Sequence, residues 1–155
     1  MTSFKDDRRK SPGYRAARIF RTNACLLDRQ VSSLGLCHGQ IPYLIAITEK
    51  EGQTQDELGA SIRVTRAATA RTLKGMEKAG LITRKENPDN RRQKLVYPTE
   101  QANNLMEKLH IILAAHNDLM LTGFSEEEKT QLFSLMDRLI DNVEDALKEG
   151  CNEHS

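Results

Sequence analysis

Residues 54–80 read TQDELGASIRVTRAATARTLKGMEKAG, and this stretch decides the fold. At its start, the Thr54 hydroxyl and the Glu57 carboxylate are spaced so that each can satisfy an unpaired backbone N–H in the first turn of a helix. That helix should be short. A turn follows, and Thr65 is placed to cap a second helix over residues 65–79. The stretch therefore predicts two helices joined by a tight turn.

The second of these helices has two faces of different chemistry. At about 100° per residue, its larger apolar side chains fall on one side and its basic and small side chains on the other. Small side chains allow close approach to a surface, and flanking Arg and Lys contact phosphates and guanine edges. The helix therefore suits a DNA major groove, although a solvated helix can carry the same charges. The core side holds Thr69, Thr72, Leu73 and Met76, and the other side holds Ala67, Ala70, Arg71, Lys74 and Lys78.

Two helices are predicted upstream of this stretch. Apolar residues from Ala17 to Leu34 recur at spacings of three and four, which predicts one long helix with a single apolar seam, ended by Gly35. Its other faces are rich in arginine, so the seam must be buried against a segment distant in sequence or against another chain. A second helix over about 38–50 carries Pro42 near its first turn, where proline is tolerated.

Downstream, the chain predicts a β-hairpin and two long helices. Residues 81–85 and 93–97 are strand-like and flank a polar, turn-rich loop, which predicts a hairpin with a basic tip. A helix should then run over about 99–121. Residues 125–128, Ser-Glu-Glu-Glu, form a second capping box that opens a last amphipathic helix. The fold class is therefore mainly α with a small β-hairpin.

Composition sets limits on the class of protein. A chain of 155 residues with 38% hydrophobic and 29% charged residues is typical of one soluble domain or two very small ones. No apolar run approaches the ~18 residues of a membrane span, and residues 1–10 lack the apolar region of a secretory signal, so we expect a cytoplasmic protein. Cys25, Cys37 and Cys151 are an odd number and far apart, which favours neither a disulfide framework nor a zinc ribbon.

The net charge of +1 is unevenly distributed. Residues 1–53 carry nine Lys and Arg against five Asp and Glu, residues 54–100 carry ten against six, and residues 101–155 carry four against eleven, giving +4, +4 and −7. Such a division suggests that the first two thirds of the chain meet a polyanion, for which nucleic acid is the leading candidate. The alternative is that the acidic helices simply solvate themselves.

A helix, a turn, a basic helix and a hairpin with arginine at its tip form a winged helix-turn-helix. The residues that carry a family resemblance are Thr54, Gln55, Leu58, Val64, Thr65, Arg71, Leu73, Glu77, Gly80, Leu81, Ile82 and Arg84, followed by Asp89-Asn90-Arg91 and Tyr97-Pro98-Thr99. In this order and spacing the sequence resembles the MarR family of transcriptional regulators over roughly residues 15–147.

The resemblance implies a domain organisation. Helices in 14–36 and 99–148 would interlock two copies of the chain, and residues 37–98 would form a winged helix-turn-helix DNA-binding lobe. Residues 1–13 and 149–155 would be flexible ends. The apolar seam of the first helix and the two C-terminal amphipathic helices agree with this expectation, because each needs a partner to cover it.

The function that the resemblance implies is sequence-specific DNA binding by a homodimeric regulator, expected to be a repressor released by a small-molecule effector. Recognition helices over 65–79, about 34 Å apart, would read successive major grooves of a pseudo-palindromic operator. The wing, residues 86–94, would reach the minor groove.

Specific side chains are expected to contact DNA. By the resemblance, Arg91 would enter the minor groove, where narrow A·T tracts concentrate negative potential, Asp89 would steady Arg91, and Arg92 and Lys94 would anchor the backbone. Ala67 and Ala68 stand where many relatives have Ser or Thr, so we do not expect direct base hydrogen bonds there, although a methyl group can contact thymine. Pro98 and Ala102 also depart from the family pattern. The recognition surface is Thr65, Arg66, Ala67, Ala68, Ala70, Arg71 and Lys74.

Residues outside the recognition surface suggest two further ways of regulating the protein. The resemblance implies a small aromatic or phenolic effector where the dimer helices meet the DNA-binding lobe, and Tyr14, Arg18 and Tyr43 are candidate lining residues. Cys25, with Arg21 and Arg29 four residues away on either side, is an alternative redox sensor. We expect it instead to be a buried structural cysteine.

Three further classes remain as alternatives. A winged-helix module that binds protein predicts an apolar patch on the fourth helix, which is not seen. A metal sensor would use His38, His110 and His116, but the last two are six residues apart and so lie on different helix faces, and no metal is expected. An enzyme is the weakest reading, because no catalytic motif appears. No cofactor is expected.

Overall fold

The computed structural model describes residues 10–152 and contains the six α-helices that the sequence predicts. They are α1 (Pro12–Val31), α2 (Ile41–Glu49), α3 (Gln55–Ile62), α4 (Arg66–Lys78), α5 (Glu100–Met120) and α6 (Glu126–Asn152). None of the helices in this part of the chain has an apolar stretch long enough to cross a membrane. Of the flexible ends predicted at 1–13 and 149–155, residues 1–9 and 153–155 lie outside the described residues, whereas α1 already begins at Pro12 and α6 includes residues 149–152.

Local sequence explains where the first helices begin and end. The Ser11 hydroxyl accepts the backbone N–H of Tyr14 and caps α1, and Pro12 occupies its first turn. A single 3₁₀ turn follows α1, and Gly35 then takes a left-handed φ of 69°, which lets the chain reverse. The predicted stop at Gly35 is therefore confirmed, and Pro42 lies in the first turn of α2 as expected.

A small antiparallel sheet has strands β1 (Gln53–Thr54), β2 (Ile82–Asn87) and β3 (Asn90–Pro98) in the order β1-β3-β2. The sequence predicted β2 and β3 but not β1, because two residues carry no periodicity. The predicted loop over 86–92 was too long. The strands extend to Asn87 and from Asn90, leaving only Pro88 and Asp89 in the turn.

The hydrophobic core lies in the winged helix-turn-helix lobe and beneath the first part of α5. The fully buried residues come from nearly every element, so the lobe folds around one apolar cluster. Its buried members are Val31, Leu36, Ile41, Tyr43, Leu44, Ile47, Leu58, Leu73, Met76, Leu81, Ile82, Val96, Ala102 and Leu109. The core face predicted for α4 is confirmed, since Thr69, Leu73 and Met76 are buried and Thr72 is half-buried.

The chain divides into two compact units, residues 1–114 and 115–155. The second unit consists of the end of α5, a turn at Gly123 and α6. The predicted capping box is present, because the Ser125 hydroxyl accepts the Glu128 N–H at 3.2 Å and a Glu128 carboxylate oxygen accepts the Ser125 N–H at 2.9 Å. The apolar residues of α6 remain largely exposed, and Leu139 and Val143 keep 49% and 61% of their surface.

Close packing between α3 and α4 determines the geometry of the helix-turn-helix. Gly59 of α3 is buried, and a Cβ built there would lie 2.9 Å from the Thr69 Oγ1 atom of α4 and 3.3 Å from the Val64 carbonyl oxygen. Both distances are shorter than ordinary van der Waals contact, so only glycine allows the helices to approach this closely.

Replacing Gly59 with alanine should destabilise the fold. We expect Gly59→Ala to lower the free energy of unfolding by about 1–3 kcal/mol, because the added methyl group must displace Thr69 or the backbone of Val64. Chemical denaturation at fixed protein concentration measures the change. The matched control is Gly75→Ala in α4, where no atom lies within 4 Å of the new Cβ and alanine should stabilise the helix by about 0.5–1 kcal/mol. Equal effects of the two substitutions would contradict the packing argument.

Candidate nucleic-acid interface

The start of α3 is held by the capping box that the sequence predicts. The Thr54 hydroxyl accepts the Glu57 N–H at 3.2 Å, and the Glu57 carboxylate accepts the Thr54 N–H at 2.7 Å and the Thr54 hydroxyl at 2.8 Å. These hydrogen bonds from Thr54 hold the pKa of Glu57 below its usual range. The turn after α3 uses Arg63 in a left-handed conformation, and the predicted cap of α4 is confirmed, because Thr65 accepts the Ala68 N–H at 3.4 Å.

The predicted recognition surface of α4 is on the outside of the lobe. Thr65, Arg66, Ala67, Arg71 and Lys74 are exposed, whereas Ala68 and Ala70 are half-buried. With the large apolar side chains of α4 turned inward, this surface presents three long cations, Arg66, Arg71 and Lys74, beside methyl groups. Such a face can approach a duplex closely and contact both phosphates and base edges.

Arg66 is not free of other contacts. Its Nη2 atom lies 2.7 Å from the Asp56 Oδ2 atom of α3, and the two side chains are 78% and 50% exposed. Ion pairs this exposed contribute little net stability, because water and salt screen them. Arg66 is therefore pre-positioned at the first turn of α4 and can exchange Asp56 for another anion at small cost.

The hairpin tip is organised by asparagine side chains. The Asn87 Oδ1 atom accepts the Asp89 N–H at 3.0 Å, and the Asn90 Oδ1 atom accepts the Arg92 N–H at 3.2 Å. The sequence prediction that Asp89 steadies Arg91 has no counterpart here. In the described structure no hydrogen bond or ion pair joins those two side chains, and Arg91 is exposed at the start of β3. The turn is held through backbone N–H groups instead.

A cationic cleft of about 370 Å³ opens between the start of α3, the first turn of α4 and the hairpin. Two of its cations, Arg92 and Lys94, were predicted as backbone anchors, and a third, Arg66, was placed on the recognition surface. The fourth, Arg84 of β2, was not predicted as a site residue, because only the folded hairpin brings β2 against α3 and α4. The cleft is lined by Thr54, Gln55, Asp56, Arg66, Arg84, Arg92, Gln93, Lys94 and Val96.

The three residues predicted to line an effector site are not brought together. Tyr14 and Arg18 are exposed on α1. Tyr43 is 2% exposed, and its hydroxyl lies 3.1 Å from the Thr69 Oγ1 atom within the core. Tyr43 therefore joins α2 to α4 within the core. The sequence could not show this, because Thr69 is 26 residues away along the chain.

A small apolar cavity lies beside α1 instead. It measures about 110 Å³ and is lined by Phe20, Asn23, Ala24, Leu27, His38, Ile41 and Pro42. At its edge the Asp28 carboxylate accepts the His38 N–H at 2.6 Å and lies 3.0 Å from the His38 Nδ1 atom, which ties α1 to the segment before α2. The His38 N–H and then its ring hold the pKa of Asp28 below its usual range.

The structure also places the cysteine and histidine side chains that the sequence analysis considered. Cys25 was expected to be buried, but in this chain it is exposed on α1, as Cys37 is in the segment before α2. His110 is exposed and His116 is buried, as expected for rings on different faces of α5. Within residues 10–149, no three His, Cys, Asp or Glu side chains converge as metal ligands would.

Comparison with known proteins finds sequences of transcriptional regulators. The sequence model described as the MarR family matches residues 36–94. The chain is 31% identical over 126 residues to the HTH-type transcriptional regulator YybA of Bacillus subtilis strain 168, a match that covers 81% of this chain and 84% of YybA. It is 30% identical over 122 residues to the HTH-type transcriptional regulator BilQ of Clostridium symbiosum, covering 78% and 85% of the two chains.

Solved structures agree with the sequence matches. The transcriptional regulator SlyA is 29% identical, with a TM-score of 0.80 over 86% of this chain and 94% of SlyA. A MarR family transcriptional regulator from Listeria monocytogenes, crystallised with a 26mer DNA, is 28% identical, with a TM-score of 0.75 over 94% of this chain and 92% of that one. The predicted winged helix-turn-helix fold is therefore confirmed.

The buried Tyr43–Thr69 contact yields a stability prediction. We expect Tyr43→Phe and Thr69→Val each to lower the free energy of unfolding by about 1 kcal/mol or more, because each leaves one buried hydroxyl without its partner. The double variant should lose less than the sum of the two changes, since it removes both partners. Thermal and denaturant unfolding of wild type, the two single variants and the double variant measures these changes. Strict additivity would show that the two hydroxyl groups do not interact.

Proposed function

This chain belongs to the MarR family of DNA-binding transcriptional regulators, and we propose that it acts as a homodimeric repressor that a small-molecule effector releases from its operator. The observation that carries the DNA-contacting part of the proposal is the outer face of α4, where Arg71 and Lys74 stand exposed beside Ala67. In this assignment α4 enters the major groove, and its side chains read base edges and phosphates.

The hairpin supplies the second point of contact in the proposal. Arg91 follows the two-residue turn and is exposed, so its side chain can extend beyond the end of the sheet into a minor groove. Arg92 and Lys94, farther along β3, contact the sugar-phosphate backbone. The similar Listeria regulator crystallised with DNA supports a nucleic-acid role for this lobe.

Dimerisation is proposed because α1 and α6 carry apolar side chains that the single chain leaves in water. On α6 the apolar residues fall within an arc of roughly 160° at about 100° per residue. A contiguous exposed apolar face of this kind is typical of an interface between protein chains. A second copy would cover it and would place two α4 helices about 34 Å apart on successive major grooves. The exposed residues are Ile19 and Phe20 of α1 and Phe133, Leu135, Met136, Leu139, Ile140, Val143 and Leu147 of α6.

Release by an effector is proposed to act where α1 meets α2. The apolar cavity beside Phe20 and His38 suits an aromatic or phenolic compound, although its 110 Å³ is below the roughly 300 Å³ of a typical ligand site. A second chain packed on α1 would add walls to it. A ligand that binds better when the two lobes are wrongly spaced lowers DNA affinity by the difference in its affinity for the two states.

Loss of Arg71 tests the DNA-contacting face. On DNA from the promoter of its own gene, the wild-type affinity should fall steeply as salt rises, because phosphate contacts release counterions. Arg71→Ala should abolish specific binding in mobility-shift and fluorescence-anisotropy titrations, since it removes a cation from the centre of the outer face of α4. The control is Arg138→Ala, which removes the same charge from the exposed surface of α6. Wild-type binding by Arg71→Ala would mean that α4 does not enter the groove.

A charge placed on the apolar face of α6 tests the dimer. Wild-type protein at micromolar concentration should sediment at twice the 17.5 kDa mass of the chain. Leu139→Glu should sediment as a monomer and bind the operator at least tenfold more weakly, because burying the carboxylate in an apolar interface is costly. Ser134→Glu, on the polar side of the same helix, should remain dimeric. A monomeric wild-type protein that binds the operator normally would contradict the proposal.

A further inference from the structure

We propose that the cationic cleft between α3 and the hairpin seats one phosphate of the DNA backbone, and that Arg84 is its central ligand. This inference rests on the proposed function and adds a contact to it. Arg84 lies on β2, outside both the outer face of α4 and the hairpin tip, and the sequence assigned it no role in binding.

The lining of the cleft gives it an affinity for anions. Four cations face it, and the one carboxylate among them, Asp56, already pairs with Arg66 at 2.7 Å. The backbone N–H groups of Gln55 and Asp56, in the first turn of α3, add the positive end of a helix dipole, and the capping box does not use them. The cleft therefore offers cationic side chains and helix N–H groups to a single bound anion.

Arg84 is held at this cleft with most of its hydrogen-bonding capacity unused. Its side chain is only 19% exposed, and its buried Nε–H makes no hydrogen bond, although the Glu77 Oε2 atom lies 3.3 Å away. A guanidinium group carries five N–H donors, and in the described structure Glu77 is the only polar partner of Arg84. The terminal N–H groups of Arg84 therefore remain to donate to an anion in the cleft.

The position of the cleft favours a phosphate of bound DNA over a free anion. Arg66 lies both in the cleft and in the first turn of α4, the end of a recognition helix that enters the groove. Arg92 and Lys94, every second residue along β3, extend the cationic lining toward the hairpin tip. The cleft therefore lies between the two parts of the lobe assigned to the DNA, where the backbone of the duplex must pass.

Glu77 is the carboxylate that contacts Arg84 in the absence of DNA. It lies on α4 outside the cleft lining, is 46% exposed, and holds Arg84 from one side. If Arg84 serves only to pair with Glu77, removing either partner should have the same effect. If Arg84 binds phosphate, the two substitutions should differ, because Glu77 then competes with the DNA for the same guanidinium group.

The test compares adjacent charges on one strand. Arg84→Gln and Lys85→Gln each remove one positive charge from β2, but Lys85 does not line the cleft and lies 4.8 Å from the ring centre of Tyr97. We expect Arg84→Gln to weaken operator binding about tenfold or more and to reduce the slope of log affinity against log salt by about 0.9, the value for one phosphate contact. Lys85→Gln should keep the wild-type slope. Glu77→Gln should also keep the slope and bind at least as tightly as wild type.

Neutralising single phosphates of the DNA tests the same contact with wild-type protein, so the main measurement does not depend on how stable a variant is. Single neutral methylphosphonate linkages are placed in turn along each operator strand, and wild-type protein is titrated against each duplex. One linkage per half-site should weaken binding by wild type and have a clearly smaller effect on Arg84→Gln, which no longer places a charge at that phosphate. Thermal unfolding of every variant accompanies the titrations.

Several results would overturn the inference. If Arg84→Gln and Lys85→Gln bind alike, or if Glu77→Gln loses affinity and slope as Arg84→Gln does, Arg84 is structural. If every linkage that affects wild type affects Arg84→Gln equally, Arg84 contacts no DNA phosphate. If the wild-type protein binds no DNA with a steep salt dependence, the proposed function is refuted as well. If the wild-type protein binds DNA normally and Arg71→Ala does not, the proposed function stands and only the inference about the cleft is refuted.

Discussion

The outer face of α4 depends on a buried contact on its inner face. The Thr69 Oγ1 atom lies 3.1 Å from the Tyr43 hydroxyl of α2, and it occupies the space that a side chain at position 59 of α3 would need. Three helices therefore meet at one hydroxyl group. Because a helix is rigid, the depth and rotation of α4 at Thr69 also set the direction of the cations on its opposite side. Core packing in this lobe thus determines which groups are offered to DNA.

The cations proposed to contact DNA make only weak contacts with carboxylates in the free protein. Arg66 pairs with Asp56, and Arg84 lies beside Glu77 without a well-formed hydrogen bond. The exposed Arg66–Asp56 pair contributes little to stability, and both contacts restrict where a long side chain can go before it meets a ligand. Such cations are oriented in advance and can still exchange their carboxylate partner for a phosphate. This is the electrostatic arrangement that the DNA-binding proposal requires.

Coupling between the helices proposed for dimerisation and the DNA-binding lobe would pass through α1. Asp28 of α1 accepts the His38 N–H at 2.6 Å just before α2 begins, and the apolar cavity proposed for the effector lies beside this contact. A shift of α1 would therefore be transmitted to the α2 segment, and Tyr43 joins α2 to Thr69 of α4. These contacts would allow a ligand bound beside α1 to change the position of α4 on the DNA.

Local rules determined much of this protein from sequence alone. The caps at Thr54, Thr65 and Ser125 and the turn at Gly35 are short-range hydrogen bonds and backbone preferences, and each lies where the residues predict. The division of α4 into a core side and a basic side follows from helical periodicity, and both sides are where that rule places them.

Only the tertiary structure decided which residues far apart along the chain contact each other. Tyr43 is buried against Thr69 and does not line an effector site, Cys25 is exposed, and Arg84 faces a cleft. The two-residue strand β1 exists because β3 offers it a partner. A sequence pattern records which side of an element is apolar, but not which distant element covers it, and burial and electrostatic partners depend on that covering.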